Sequence, residues 1–170
     1  MKIRLANKDD LRSIEHIYDL ARAFMRTTGN VTQWSNGYPN EEIIKSDIEQ
    51  KYLYVVEDNG IQAVFTLILG EDPTYLSING AWLNDKPYAT LHRIASRGTQ
   101  KGLFKLIIDF AWSICPNLRI DTHKDNKPMR HLIEKNGFDY CGIIIVGDGT
   151  PRLAYQKSSI LSCAQDKKGI

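Results

Sequence analysis

Apolar residues recurring at three- and four-residue steps, Leu11, Ile14, Tyr18, Ala21 and Met25, mark the buried stripe of a helix close to the amino end. Asn7 is placed to cap it, and Asp9 and Asp10 fall in its first turn, where the positive end of the helix dipole favours acids. The residues before it, Lys2 to Leu5, read as a short strand. Thr28-Gly29-Asn30 breaks the helix and Trp34-Ser35-Asn36-Gly37-Tyr38-Pro39 forms a loop. A second helix is predicted over 40–50, with Glu41 and Glu42 in its first turn.

From Tyr52 the period shortens. Tyr-Leu-Tyr-Val-Val-Glu and the run 61–69 are rich in β-branched and aromatic residues and flank Asn59-Gly60, a dipeptide suited to a tight hairpin turn. A further strand pair is expected, one arm near 75–82 and the other at 88–95, joined through Asn84-Asp85-Lys86-Pro87. Helical spacing then returns. Leu103, Leu106, Ile107, Phe110, Ala111 and Ile114 share one face before Pro116 stops the helix.

A short strand over 118–122 follows, then a helix capped by Asn126 with Met129, Leu132 and Ile133 inward, and Gly137 as its left-handed C-cap. Strands at 138–146 and 152–157 close around Gly147-Asp148-Gly149. The apolar pattern is lost from 158 to 170, where a loose tail is expected. The predicted order is β, α, α, β, β, β, α, β, α, β, β. That is one domain over 1–157, of mixed α/β (α+β) class, with helices on the faces of the sheet.

Composition narrows the function classes. Lys and Arg number 22 against 20 Asp and Glu, and the basic residues are scattered, so a phosphate-neutralising stripe for nucleic acid is not expected. Apolar runs such as 61–69 are far shorter than the roughly 20 residues a membrane-spanning helix needs. Met1-Lys2-Ile3-Arg4 opens no apolar signal segment, which points to a cytoplasmic protein without a membrane partner. Cys115, Cys141 and Cys163 are odd in number and widely spaced, against a disulfide framework. No two of His16, His92, His123 and His131 have the spacing that pairs imidazoles on one helix, so no metal is expected.

The segment Leu91-His92-Arg93-Ile94-Ala95 leads to Gly102-Leu103 and then to Arg119-Ile120-Asp121-Thr122-His123. Trp34 with Gly37-Tyr38-Pro39, then Asp72-Pro73-Thr74-Tyr75, then Asp125-Asn126 ahead of Lys135-Asn136-Gly137-Phe138 accompany it in order. Together these resemble the GNAT superfamily of N-acetyltransferases, and a bacterial subgroup of it, over about residues 1–157. The resemblance implies a central, mostly antiparallel sheet splayed between its fourth and fifth strands, the fourth being 88–95 and carrying a bulge. In the opening the pantetheine of acetyl-CoA lies like an added strand. The matching backbone is that of Ile94, Ala95 and Ser96. The loop Gly98, Thr99, Gln100, Lys101, Gly102 and the helix start at Leu103 would receive the pyrophosphate, and unpaired N–H groups at a helix start do attract phosphate. Asn126 would steady the pantetheine arm. The chain departs from the family pattern in four ways: Thr99 stands where Gln or Arg is usual, Phe104 where a small residue is, the loop is about two residues shorter, and Ile133 replaces a tyrosine that protonates the leaving thiolate.

The implied reaction is direct attack of an amine on the acetyl thioester in a ternary complex, the acceptor being a small-molecule amine or an exposed protein amino group. The protein would be a monomer or homodimer. His92 is the first candidate to take the proton from the ammonium, since imidazole changes charge near neutrality. The same position also fits a histidine satisfied within the sheet. Glu57 and His123 are the alternative bases, and Tyr140 the candidate acid, although a thiolate also leaves unaided. Strand alternation puts Thr90, His92 and Ile94 on one face and Leu91, Arg93 and Ala95 on the other. Trp34, Tyr38 and Trp82 would wall the acceptor pocket. A catalytically impaired acyl-CoA-binding domain of the same fold is the rival reading, favoured by Ile133.

Overall fold

The structure, a computed structural model, describes residues 1–159. The expected tail, 158–170, and Cys163 therefore lie outside the described residues, apart from Ser158 and Ser159. The described part is mixed α/β, with eight strands, mostly antiparallel, and four α-helices. Two compact units divide it: Met1–Ile68 with Leu91–Phe110, and Leu69–Thr90 with the described residues from Ala111 on.

In the first unit β1 (Lys2–Leu5), β2 (Leu53–Glu57), β3 (Ile61–Leu69) and β5 (Ala89–Ser96) lie side by side in that order. Ile3 pairs with Val56, and Val55 with Val64, both antiparallel. The β2–β3 turn has Asn59 at φ 51° and Gly60 at φ 99°, the doubly left-handed geometry that Asn-Gly suits. Helices α1 (Leu11–Thr27) and α2 (Glu41–Glu49) bury Ile14, Ile17, Tyr18 and Ile44 against Leu53, Val55, Ile61 and Val64. Local chemistry starts α2 and the 3-10 turn Lys8–Asp10 that leads into α1. The Asn7 side chain accepts from Asp9 N at 2.9 Å while Asp10 reaches back to Asn7 N at 2.8 Å, and Asn40 Oδ1 accepts from Ile43 N at 3.0 Å. Past its middle, α3 (Leu103–Ile114) is seated by aromatic contacts, Phe110 meeting Tyr54 edge-on at 5.2 Å and Phe65 at 6.0 Å.

In the second unit the order is β6 (Asn117–Thr122), β8 (Pro151–Ser158), β7 (Asp139–Ile145) and β4 (Asn79–Gly80). Helix α4 (Lys127–Lys135) is capped by Asn126 Oδ1 accepting from Met129 N at 3.3 Å, and it ends at Gly137 with φ 84°. Tyr75, Tyr88, Ile144 and Ala154 make this unit's cluster.

Three sequence expectations are corrected. The strand near 75–82 is instead a single helical turn, Pro73–Tyr75, capped by the Asp72 side chain on Thr74 N, and the two-residue β4 pairs with β7 rather than with 88–95. Aromatic content suggested a strand there, but Asp followed by Pro nucleates a turn. On α3 the buried face runs through Phe104 and Ile108 as well as Leu103, Ile107 and Ala111, leaving Ile114 43% exposed. The third correction, on β5, belongs to the site.

Candidate functional site

Arg93 sits in the middle of β5 at φ 51°, a left-handed backbone that costs a residue other than glycine on the order of 1–3 kcal/mol. Simple alternation therefore fails on this strand. The left-handed residue turns the chain at that point, so Ile94 does not simply continue the face of Thr90 and His92.

Arg93 is tied down from three places. Its main-chain carbonyl accepts from the Tyr18 hydroxyl of α1 at 2.9 Å. Its Nε and Nη2 donate to the two carboxylate oxygens of Asp47 on α2, each at 2.9 Å, and its Nη1 donates to the Tyr38 hydroxyl at 2.8 Å. Thr66 Oγ1 of β3 completes the shell of Asp47, donating at 3.2 Å. The side chains of Arg93 and Asp47 are only 13% and 11% exposed. Burial by itself would weaken the Arg93 cation, but the oxygens of Tyr38 and Asp47 more than offset it and hold its proton more tightly.

Trp34, also left-handed at φ 58°, packs edge-on to Tyr18 at 5.8 Å and lies 6.1 Å from Tyr38. Two of the three expected acceptor-pocket aromatics are thus brought together, on the loop between α1 and α2. Sequence reasoning missed Asp47 and Arg93. The signal was present: Asp47 falls three residues after Ile44 on the inward face of α2, and a charge on an apolar face asks for a partner.

After β5 the polar side chains of the loop turn toward the β2–β3 hairpin. Arg97 Nε donates to Ile61 O at 2.7 Å, Thr99 Oγ1 to Gln62 Oε1 at 3.2 Å, and Gln100 Nε2 to Asp58 Oδ2 at 3.3 Å. The main chain is left bare. No N–H group over 98–104 donates to another group among the described residues. Gly98 and Gly102, at φ 78° and 80°, give the turns that collect these groups ahead of α3, and a Cβ at either would meet no atom within 4 Å. A run of unpaired N–H groups with a helix dipole behind it is built for an anion.

The other expected residues fall as follows. Glu57 accepts from Arg4 Nε at 3.1 Å, and that hydrogen bond holds its carboxyl below the usual carboxylate range, making it a weaker base. Arg4 also donates to Asp10 at 2.7 and 2.9 Å, so Glu57 belongs to a tie between β1, β2 and the start of α1. In the second unit Trp82 Nε1 donates to Tyr75 O at 3.0 Å, and the Arg119 guanidinium lies 4.1 Å from the Trp82 ring and 3.8 Å from that of Tyr88. Tyr75 donates to Asp121 at 2.5 Å. Trp82 is therefore one wall of an aromatic-arginine stack. Tyr140 is 57% exposed, its ring edge-on to Tyr155 at 5.7 Å. Ile133 is wholly buried. Among the described residues no group of three or more His, Cys, Asp or Glu side chains could hold a metal ion, and no helix is long and apolar enough to cross a membrane.

His123 is buried, and its Nδ1 accepts from Asp125 N at 3.1 Å. Burial, and next the charge of Arg152, lower its pKa from the ordinary histidine value. The unfolded chain then takes up the proton first, so stability is unaffected above about pH 6.5 and is lost as pH falls toward the lowered folded value. His123→Gln is expected to flatten the decline of Tm on acidification below about pH 6.5. Identical slopes in mutant and native protein would refute this.

No protein-family model and no curated protein sequence matches the chain. Solved structures do. A GNAT-family acetyltransferase from Streptococcus agalactiae is 36% identical, with a TM-score of 0.85 over 94% of this chain and 95% of that one. GNAT-family acetyltransferases from Listeria monocytogenes and Bacillus cereus, 22% and 21% identical, share the fold with TM-scores of 0.66 and 0.60, over 92% and 94% of this chain and 93% and 97% of theirs. With a relative this similar along nearly its whole length, and with a broken strand leading through a glycine loop to a bare helix start, the chain belongs to the GNAT family of acetyltransferases, enzymes that move an acyl group onto an amine.

Proposed function

We propose that the chain transfers the acetyl group of acetyl-CoA to the amine of a small molecule or to an exposed protein amino group, by direct attack with both substrates bound. The observation that carries this reading is the set of main-chain N–H groups over 98–104 left without partners among the described residues at the head of α3. Pyrophosphate oxygens satisfy such groups without calling on lysine or arginine. On this reading the polar side chains of Arg97, Thr99 and Gln100 shape the loop from behind, which accounts for the absence of the Gln or Arg that relatives place at Thr99. Ile94, Ala95 and Ser96 are assigned to present main chain to the pantetheine arm.

In the reaction the amine nitrogen bonds to the thioester carbonyl carbon, the carbon–sulfur bond breaks, and sulfur leaves with the electron pair. The nitrogen must lose a proton, and His92 on β5 is assigned to accept it directly or through water. Tyr38 and Trp34 are assigned to the acceptor. The Tyr38 oxygen already accepts from Arg93, so its own hydrogen is the one left to donate. Ile133, an aliphatic residue, offers no proton, so the thiolate leaves unaided or takes one from water.

Release of free thiol from acetyl-CoA against a panel of amines tests the reading, with calorimetry on acetyl-CoA alone beside it. Binding together with amine-dependent thiol release is the expected result. Binding without turnover for any amine would favour the rival, a cofactor-binding domain without catalysis, for which Ile133 speaks. Absence of binding would overturn both.

A further inference from the structure

We propose that Asp47 and Arg93 form a latch that sets the shape of β5, with Arg93 acting as a positioning residue for the cofactor strand; this rests on the reading of β5 as that strand. The argument begins with an oddity of residue choice. A position that needs only a left-handed backbone is filled best by glycine, and one that needs only an ion pair has no use for a left-handed backbone. Arg93 has both, at φ 51° and with its guanidinium spanning Asp47 and Tyr38.

The ties come from three separate elements. Tyr18 of α1 holds the carbonyl, Asp47 of α2 holds the head group through two bonds, and Tyr38 of the intervening loop accepts a third. Asp47 cannot swing away, because Thr66 of β3 donates to it and Ile44 beside it is packed in the core. The surrounding ties, the Tyr18 bond to the carbonyl among them, require the left-handed main chain, and the three guanidinium bonds offset its strain. Ile94, Ala95 and Ser96 follow directly, so the latch decides where their N–H and C=O groups point. It also couples the acceptor-side loop carrying Trp34 and Tyr38 to the donor-side strand, since Tyr38 and the β5 backbone share one guanidinium.

The comparison that isolates this role is glycine against alanine at position 93, made in an Asp47→Asn background so that neither protein buries an unpaired carboxylate. Both lack the latch, but glycine adopts the left-handed backbone freely and alanine does not. Arg93→Gly is expected to melt about 2–4 °C above Arg93→Ala and to bind acetyl-CoA about 10-fold more tightly. At an ordinary strand position the order of melting is reversed, because glycine weakens a strand. Equal or reversed melting would overturn the latch. Melting in the expected order with equal acetyl-CoA affinity would overturn its positioning role. If the native protein binds no acetyl-CoA, the proposed function falls, and the melting order still decides the latch.

Discussion

His92→Gln is expected to preserve the fold and acetyl-CoA affinity while lowering turnover by about 10²–10⁴-fold, the usual contribution of a general base. His92 is half-buried on β5, adjacent to the left-handed Arg93 and two residues before Ile94, so it occupies the part of the strand where the backbone changes direction. Its rivals are less suited. Glu57 is engaged by Arg4, which lowers its basicity, and His123 already uses Nδ1 to accept from Asp125 N in the loop ahead of α4. Glutamine keeps a hydrogen-bonding side chain of similar reach but does not take up a proton near neutrality. The acidic limb of the pH profile of kcat/KM should therefore move or vanish in the mutant. Full turnover with an unchanged profile, or early melting, would assign His92 to the structure of the sheet and return proton transfer to water.

Gly102→Val is expected to weaken acetyl-CoA binding by at least about 10-fold, corresponding to some 1.4 kcal/mol or more. Gly102 has φ 80°, where a β-branched residue is a genuine outlier, and a left-handed non-glycine residue costs on the order of 1–3 kcal/mol. A Cβ added at Gly102 meets no atom within 4 Å, so backbone strain and not a clash is the cost, and the protein can relieve it by letting the loop unwind. Unwinding disperses the N–H groups gathered over 98–104 and removes the anion site. Gly149→Val is the matched control, with φ 81° and equally open surroundings in the β7–β8 turn. It should lose comparable stability and keep its affinity for acetyl-CoA. Equal losses of affinity in the two mutants would show that general destabilisation, and not the loop, is responsible, and undiminished affinity in Gly102→Val would remove the loop from the binding site.

Much of this protein was legible locally. Asn40 and Asn126 cap the helices they precede, Asn7 caps the 3-10 turn that leads into α1, Asn59-Gly60 turns the β2–β3 hairpin, and Gly137 closes α4. Each of these outcomes depends on atoms within about four residues along the chain, so residue order alone contains the necessary information. The glycine loop ahead of α3 was readable for the same reason. What the chain did not reveal locally depends on distant partners. Asp47 and Arg93 are 46 residues apart and Tyr18 and Arg93 are 75 apart, so nothing near Arg93 announces that its backbone will be left-handed or that β5 will abandon alternation. The exposure of Ile114 and the pairing of β4 with β7 were likewise settled by packing and strand pairing, whereas the turn at Pro73–Tyr75, capped by Asp72, is local chemistry that the aromatic content masked. The sequence by itself determined the helix starts, the hairpin and the glycine turns ahead of α3, because short-range hydrogen bonds and glycine conformations need no other part of the molecule. Only the tertiary structure decided the latch on β5, because a strained backbone persists only where contacts from several elements converge to hold it.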